Sequence, residues 1–504
     1  MALPPAHRSY RRISRHVSAW LSNALAPDMR TLYGMSADQT PGTRNPVIVI
    51  PGILGSRLRH RGSDRIVWGA KNKAGFAQQE NPEEARQLSV PMREGAPLSE
   101  LSGDIEPDGT LDRLRASRLG LSLEIRAYDN ILQILGASGY LETVRKAGRR
   151  AGRHVLDYGP SGLSTCFQFD YDWRRSLPDN AALLAEFVQA VSRFAGKESG
   201  CGPDVPMKVD IVAHSMGGLL LRYFLRYGGR PLHTDGEPEL PDWSGADYVE
   251  HAMIVGTPNA GSLDALDKLI NGLPGNPTYP RYDAAFLGTM PAVYQLLPRC
   301  RHRSVTDERG ETIGDLYDPG LWSEMRWGLA NPDADALLER LLPEAPSRDH
   351  RLAIAADHLA KCLDETKRFH AAIDLPAVPP TGLVMQLFAG DGILTPSRVA
   401  VGPTGTPPRV DDYAAGDATV LRSSALMDER IGTADPGPRL ESPIRWDNVT
   451  FIPTGHMALT KHPTFVNNAL YLLLEKPRPT CNLRHTSGLA PAHPESAPAD
   501  QLVG

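Results

Sequence analysis

The stretch MKVDIVAHSMGGLLLRYFLRYGG, residues 207–229, reads as a β-branched strand, a serine at a sharp turn, and an apolar helix closed by a glycine pair. Its centre, A-H-S-M-G at 213–217, has the form of a nucleophile elbow, in which the serine is held in a strained backbone conformation at the tip. Strand and helix approach closely there, so the positions two before and two after the serine must be small. Ala213 and Gly217 meet that need, although glycine is the usual residue at the first. Five residues alone are weak information. The strand MKVDIV before and the helix GLLLRYFLRYG after supply the setting the chemistry demands. A serine that merely caps a helix is the lesser reading, and Ser215 is expected to be a nucleophile.

Strand signals recur on both sides. NPVIVIPGILGS (45–56) is a buried strand broken into a tight loop at Pro51 and Gly52. FQFDYDW (167–173), HAMIVGTPNAGS (251–262), LVMQLFAG (383–390) and NVTFIPTG (448–455) read as further strands, and RRSLPDNAALLAEFVQAVSRFA (174–195) as a turn followed by an amphipathic helix. Strands alternating with helices predict an α/β fold with a mostly parallel central sheet and helices on both faces. Residues 1–44 form an N-terminal arm and 45–475 a catalytic domain. That domain carries an insertion at 57–165, with an apolar stretch at 128–140. At 263–375 the pattern lapses among Pro, Asp and Arg, and a large cap or lid over the sheet edge is expected. Residues 476–504 have the composition of a disordered tail.

The 504 residues are 41% apolar and 22% charged with a net charge of −5, an ordinary globular balance that gives no sign of a nucleic-acid partner. The cysteines (Cys166, Cys201, Cys300, Cys362, Cys481) are odd in number and form no CxxC pair. That argues against a disulfide framework or a zinc site and favours a reducing, cytoplasmic compartment. No stretch approaches the ~20 apolar residues that span a bilayer. In the arm, Ile13, Val17, Trp20, Leu21 and Ala24 recur at helical spacing behind Arg8, Arg11, Arg12 and Arg15. As a signal peptide the run is poor, because Ser18, Ser22 and Asn23 interrupt it. The predicted basic amphipathic helix docks on its own domain or lies on an anionic membrane, the first being favoured.

A nucleophilic serine needs a base and an orienting acid, met along such a chain in the order Ser, Asp or Glu, His. His456 in FIPTGHMALTKHP lies on the loop after the last predicted strand. It is preferred to His462, which stands further from the strand end and precedes Pro463. For the acid, Asp391 in FAGDGILTP directly follows a strand, and Asp417 in AAGDATVLRSSA lies deeper in the same connection. Each follows a glycine and fits a turn equally well. Spacing does not choose between them. An oxyanion hole needs two backbone N–H groups; the candidates are Met216, next after the serine, and Ile53 in PGILG.

The segments VIVIPGILGSRL, FDYDWRRS, VAHSMGGLLLRY, IVGTPNAGSLDAL, PAVYQLLPR (291–299), GDATVLRSSA and GHMALTKHP follow one another from about 45 to 460. In them the chain resembles the lecithin:cholesterol acyltransferase family, which includes lysosomal phospholipase A2 and phospholipid:diacylglycerol acyltransferases. The D-Y-D-W-R and V-Y-Q-L-L-P elements are more specific than the elbow. The resemblance implies an α/β-hydrolase fold with Ser215 as nucleophile, His456 as base and Asp417 as acid, because the family acid sits in a G-D-G-T-V run. That run reads GDATV here, with Ala418 in place of glycine. It also implies Ile53 and Met216 as oxyanion donors and a glycerolipid or phospholipid ester as substrate. The acyl group then passes through the serine to water or a lipid alcohol, with no metal or cofactor and with peripheral membrane contact as a natural accompaniment. TPNAGS departs from the TPHGGS of many relatives, and no cysteine pair supports the lid disulfide of secreted members. The alternatives are a soluble small-molecule esterase or amidase and a non-catalytic lipid-binding relative; retention of all three triad residue types weighs against the last.

Overall fold

Six short aliphatic runs pair into one sheet: β1 (Val47–Ile50), β2 (Cys166–Gln168), β3 (Val209–His214), β4 (Val249–Val255), β5 (Val384–Gly390) and β6 (Asn448–Ile452). Their order is β6-β5-β4-β3-β1-β2, and every neighbouring pair is parallel. This computed structural model describes residues 44–475 apart from 64, 70–75, 102, 111–113, 119, 120, 126–147, 151, 152, 156–165, 199–206, 235, 236 and 276–279. The predicted N-terminal helix, the apolar stretch 128–140 and the tail 476–504 lie outside the described residues.

Side chains alternate across the strands, and the two sets feed separate cores. Ile48, Ile50, Ile211, Ala213, Ile254 and Leu387 join one cluster with α1 (Leu177–Glu198) and α2 (Met216–Tyr227). Val47, Val49, Val212, Met253, Val255 and Phe388 join the other, against Phe465, Ala469 and Leu470. A parallel sheet covered on both faces requires apolar residues at successive positions, which is why its strands read as largely apolar runs. The fold is α/β, with helices about a mostly parallel sheet, as the alternation predicts.

Residues 263–375 are largely helical, including α3 (Leu263–Asn271) and the long α4 (Arg348–Asp374). The inward face of α4 carries His358, Thr366 and His370 among Leu359, Leu363 and Phe369. Polar residues in the buried stripe hide its period from a hydrophobicity reading. Its C-terminal end docks on α2, where Arg222 donates to the Ile373 carbonyl at 2.6 Å and Tyr227 to that of Ala372 at 2.9 Å. After β5 the chain leaves the sheet as an antiparallel hairpin, Ile393–Val401 with Arg409–Gly416. It returns to the sheet at Asp417, which bridges to Ile393. A fifth labelled helix, α5 (Pro463–Leu470), follows β6.

Candidate active site

Ser215 joins β3 to α2 with φ 55° and ψ −128°, the strained positive-φ conformation expected of an elbow. Such a backbone costs roughly 1–3 kcal/mol and persists only where the surroundings enforce it. Here the Ser215 N–H donates to the Val255 carbonyl at 2.8 Å, and the Thr257 hydroxyl donates to the Ser215 carbonyl at 2.9 Å. Close packing makes two glycines obligatory. A Cβ on Gly217 would stand 2.5 Å from the Pro51 carbonyl oxygen, and one on Gly52 2.7 Å from Ser215 Cβ. Ala213, in the usual glycine position, is fully buried between Ile50 and Ile254 in register, so its one methyl fits the sheet.

The candidate base, His456, stands on the turn after β6. His456 Nε2 lies 2.9 Å from Ser215 Oγ, and His456 Nδ1 lies 2.8 Å from Asp417 Oδ2. With Nδ1–H donating to the carboxylate, Nε2 is left to accept the serine proton. The second oxygen of Asp417 accepts from the N–H groups of Thr419 (3.0 Å) and Val420 (2.7 Å). Ala418 takes φ 78°, with its N–H donating to Thr395 Oγ1 at 2.9 Å. This is the turn where the family run has glycine. Thr395, on the hairpin, was not legible as a site-shaping residue.

Asp391 does not join this group. Its N–H donates to the Ile452 carbonyl at 3.3 Å, while the hairpin carries the chain back so that Asp417 abuts Gly390. His462 caps α5 instead, its Nδ1 accepting from Thr464 N–H at 3.2 Å. Met216 opens α2, so its N–H has no acceptor one turn earlier in the helix. Ile53 follows Gly52, the residue set against Ser215.

The sequence elements beyond the elbow act as clamps. In DYDWR, Tyr171 donates to the Pro51 carbonyl (3.0 Å) and Trp173 to that of Ser56 (3.1 Å), fixing the loop after β1. Arg174 pairs with Asp172 at 2.7 Å, both buried, and donates to the Leu88 and Ser89 carbonyls. In IVGTPN, Val255 and Thr257 hold Ser215, and Gly256 (φ 58°) leaves room for the His456 ring, 3.3 Å from where a Cβ would be. Asn259 bonds Arg222 and the Ala425 carbonyl within the core. His214 was singled out only as part of the elbow. It is buried, its ring 4.8 Å from that of His456.

Among the described residues, Asp210, Glu250 and His251 approach closely enough to share a metal ion. They lie at the opposite end of β3 and β4 from Ser215. The Asn45 amide donates to both carboxylates, at 3.2 and 2.6 Å, and so provides there the positive end that a cation would supply. Cavities of about 550 Å³ beside Arg326 and Leu352 and about 420 Å³ beside Tyr223 and Arg230 are lined by none of the Ser215, His456 and Asp417 group.

A parallel sheet with a strained serine, a histidine and an aspartate in line at its C-terminal edge defines an α/β-hydrolase type of protein. The sequence model of the lecithin:cholesterol acyltransferase family matches residues 154–327, the stretch that holds Ser215 and the DYDWR, IVGTP and YQLLP elements. Over that stretch, about a third of its length, the chain is similar to that family. A chain of the solved structure "The crystal structure of Tle4-Tli4 complex" is similar in fold, with a TM-score of 0.50 at 16% identity, over 85% of this chain and 97% of that one. No curated protein sequence matches.

Proposed function

We propose that the chain acts on lipid acyl esters, cleaving a glycerolipid or phospholipid ester and passing its acyl group through Ser215 to water or a lipid alcohol. One observation carries this: the unbroken line from Ser215 Oγ through His456 to Asp417, at 2.9 and 2.8 Å. His456 Nε2 takes the hydroxyl proton as Oγ bonds to the ester carbonyl carbon. Asp417 keeps Nδ1 protonated and stabilises the imidazolium. The Met216 and Ile53 N–H groups serve the oxyanion, each such donor being worth roughly 10²–10³ in turnover. The ester C–O bond then breaks, the leaving alkoxide takes the imidazolium proton, and the acyl group stays on Ser215. The acceptor gives its O–H proton to His456, its oxygen bonds to the acyl carbon, and Ser215 leaves with that proton restored.

The lipid class is supported by the family match and by two exposed apolar side chains that neighbour site-bearing segments in sequence. Met457 is 48% exposed, and Leu394, next to the bridge between Ile393 and Asp417, is 73% exposed. Solvent-facing apolar groups beside a reactive centre suit a site that meets a lipid surface. The test is incubation with acyl-labelled phosphatidylcholine vesicles, with and without a long-chain alcohol. Free fatty acid alone indicates hydrolysis, and labelled alkyl ester indicates transfer. Turnover confined to short soluble esters would replace the lipid reading by the small-molecule one. Membrane contact belongs to the same proposal. Binding to anionic vesicles that vanishes on deletion of residues 1–26 assigns it to the arm, and binding that persists assigns it to the catalytic domain.

A further inference from the structure

The strand residue before the serine has no part in the acyl-transfer steps, yet it is built into the site. His214 ends β3, is 3% exposed, and holds its Nε2 3.3 Å from the carbonyl oxygen of His456. A carbonyl oxygen only accepts, so Nε2 carries the proton and donates. The two rings stand 4.8 Å apart with their planes inclined at 40°. Burial first, and the neighbouring His456 second, push His214 down to about 3. Its ring therefore stays neutral and adds no second positive charge beside His456.

His456 is thereby gripped on several sides. Its Nδ1 meets the Asp417 carboxylate, and its N–H donates to the Asp417 carbonyl at 3.0 Å. Its ring lies against Gly256, and its own carbonyl accepts from His214. The contacts from Asp417 reach His456 from the hairpin side. Those from His214 and Gly256 reach it from the ends of β3, which carries Ser215, and of β4, whose Val255 carbonyl accepts from the Ser215 N–H. The His214 bond thus ties the base to the strand bearing the nucleophile, and sets the separation that proton transfer depends on.

We infer that His214 is a positioning residue for acyl transfer, holding His456 in register with Ser215 through its Nε2–H bond to the His456 carbonyl. This rests on the reading of Ser215, His456 and Asp417 given above. The test compares His214→Leu, which keeps bulk and loses the donor, with His214→Gln, whose amide N–H still donates. Steady-state kinetics are measured on a soluble ester and melting temperatures on the same preparations. The expected result for His214→Leu is a kcat lowered about ten- to hundredfold with KM changed less than about twofold. His214→Gln is expected to recover most of that loss. A near-wild-type kcat in His214→Leu would overturn the inference. So would losses that Gln does not restore, or losses that follow the melting temperature in both variants, since those mark packing alone. A Ser215→Ala control separates the two levels. If it is inactive, any such failure belongs to His214; if it turns over like wild type, the serine reading falls and the inference with it.

Discussion

Asp417 and Asp391 both follow a glycine, and the residues around them read equally well as turns. What separates them is long-range: the hairpin Ile393–Val401 and Arg409–Gly416 leaves the sheet and returns, so the more distant aspartate reaches His456. No local pattern encodes that return. Only the family-like GDATV run pointed to Asp417, and it did so despite Ala418, which adopts φ 78°. For an L-residue that conformation costs about 1–2 kcal/mol. The site is expected to respond accordingly. Asp417→Asn should lower kcat by about 10³–10⁴, as loss of the orienting carboxylate does in serine triads, whereas Asp391→Asn should change it less than about twofold. The comparison of kcat for the two variants checks this; a larger loss at Asp391 would reverse the assignment.

At the scale of elements, the strand–serine–helix unit was legible because every part of it is local: the apolar run, the small flanking residues and the glycine stop at Gly228 (φ 59°). Its tolerance is narrow. Gly217→Ala would drive a methyl into the Pro51 and Ile50 carbonyls, and backbone cannot yield as a side-chain tip does. A loss of roughly 2–4 kcal/mol and of turnover is expected, measured as melting temperature and kcat. Helix α4 was not legible, because His358, Thr366 and His370 occupy its buried face. Partners on neighbouring elements explain the two histidines and Glu365 beside them. His358 bonds the Thr289 carbonyl, His370 that of Gln295, and Glu365 accepts from Gln295 Nε2 at 3.2 Å. Burial pushes Glu365 up to about 7. Its folded state therefore holds a proton between about pH 4.5 and 7 that the unfolded chain has released, so this stabilisation is lost as pH rises through 7. Glu365→Gln should accordingly raise the melting temperature at pH 8 and leave it nearly unchanged at pH 4.5. An equal effect at both values would remove the titration from the explanation.

At the scale of the whole molecule, burial keeps His214, His358 and His370 neutral. Burial is the first cause in each, holding His214 near 3, His358 near 4 and His370 well below its ordinary value. Unfolded, each takes up a proton near pH 6.5, so the unfolded state binds more protons as the medium is acidified. Stability then falls by about 1.4 kcal/mol per pH unit for each histidine below that point. The carboxyl groups of Glu365 and Asp170, both pushed up by burial, act in the opposite sense. The melting temperature is expected to drop between pH 7.5 and 5; a flat or rising profile over that range would contradict these assignments. The parallel sheet was legible because both of its faces are apolar, a property that survives in a one-dimensional reading. The grip on the site was less so. His214, Thr257 and Thr395 act through backbone carbonyls and N–H groups that the fold alone brings near.

The claim on which the rest depends is that Ser215 carries the acyl group. It is tested most directly by reacting the full chain with a lipid-like phosphonate ester, digesting it, and locating the adduct by mass spectrometry, with Ser215→Ala in parallel. One adduct per chain is expected on the peptide containing Ser215, and none in the variant. An adduct on another residue of the wild type, or stoichiometric labelling of Ser215→Ala, would contradict it.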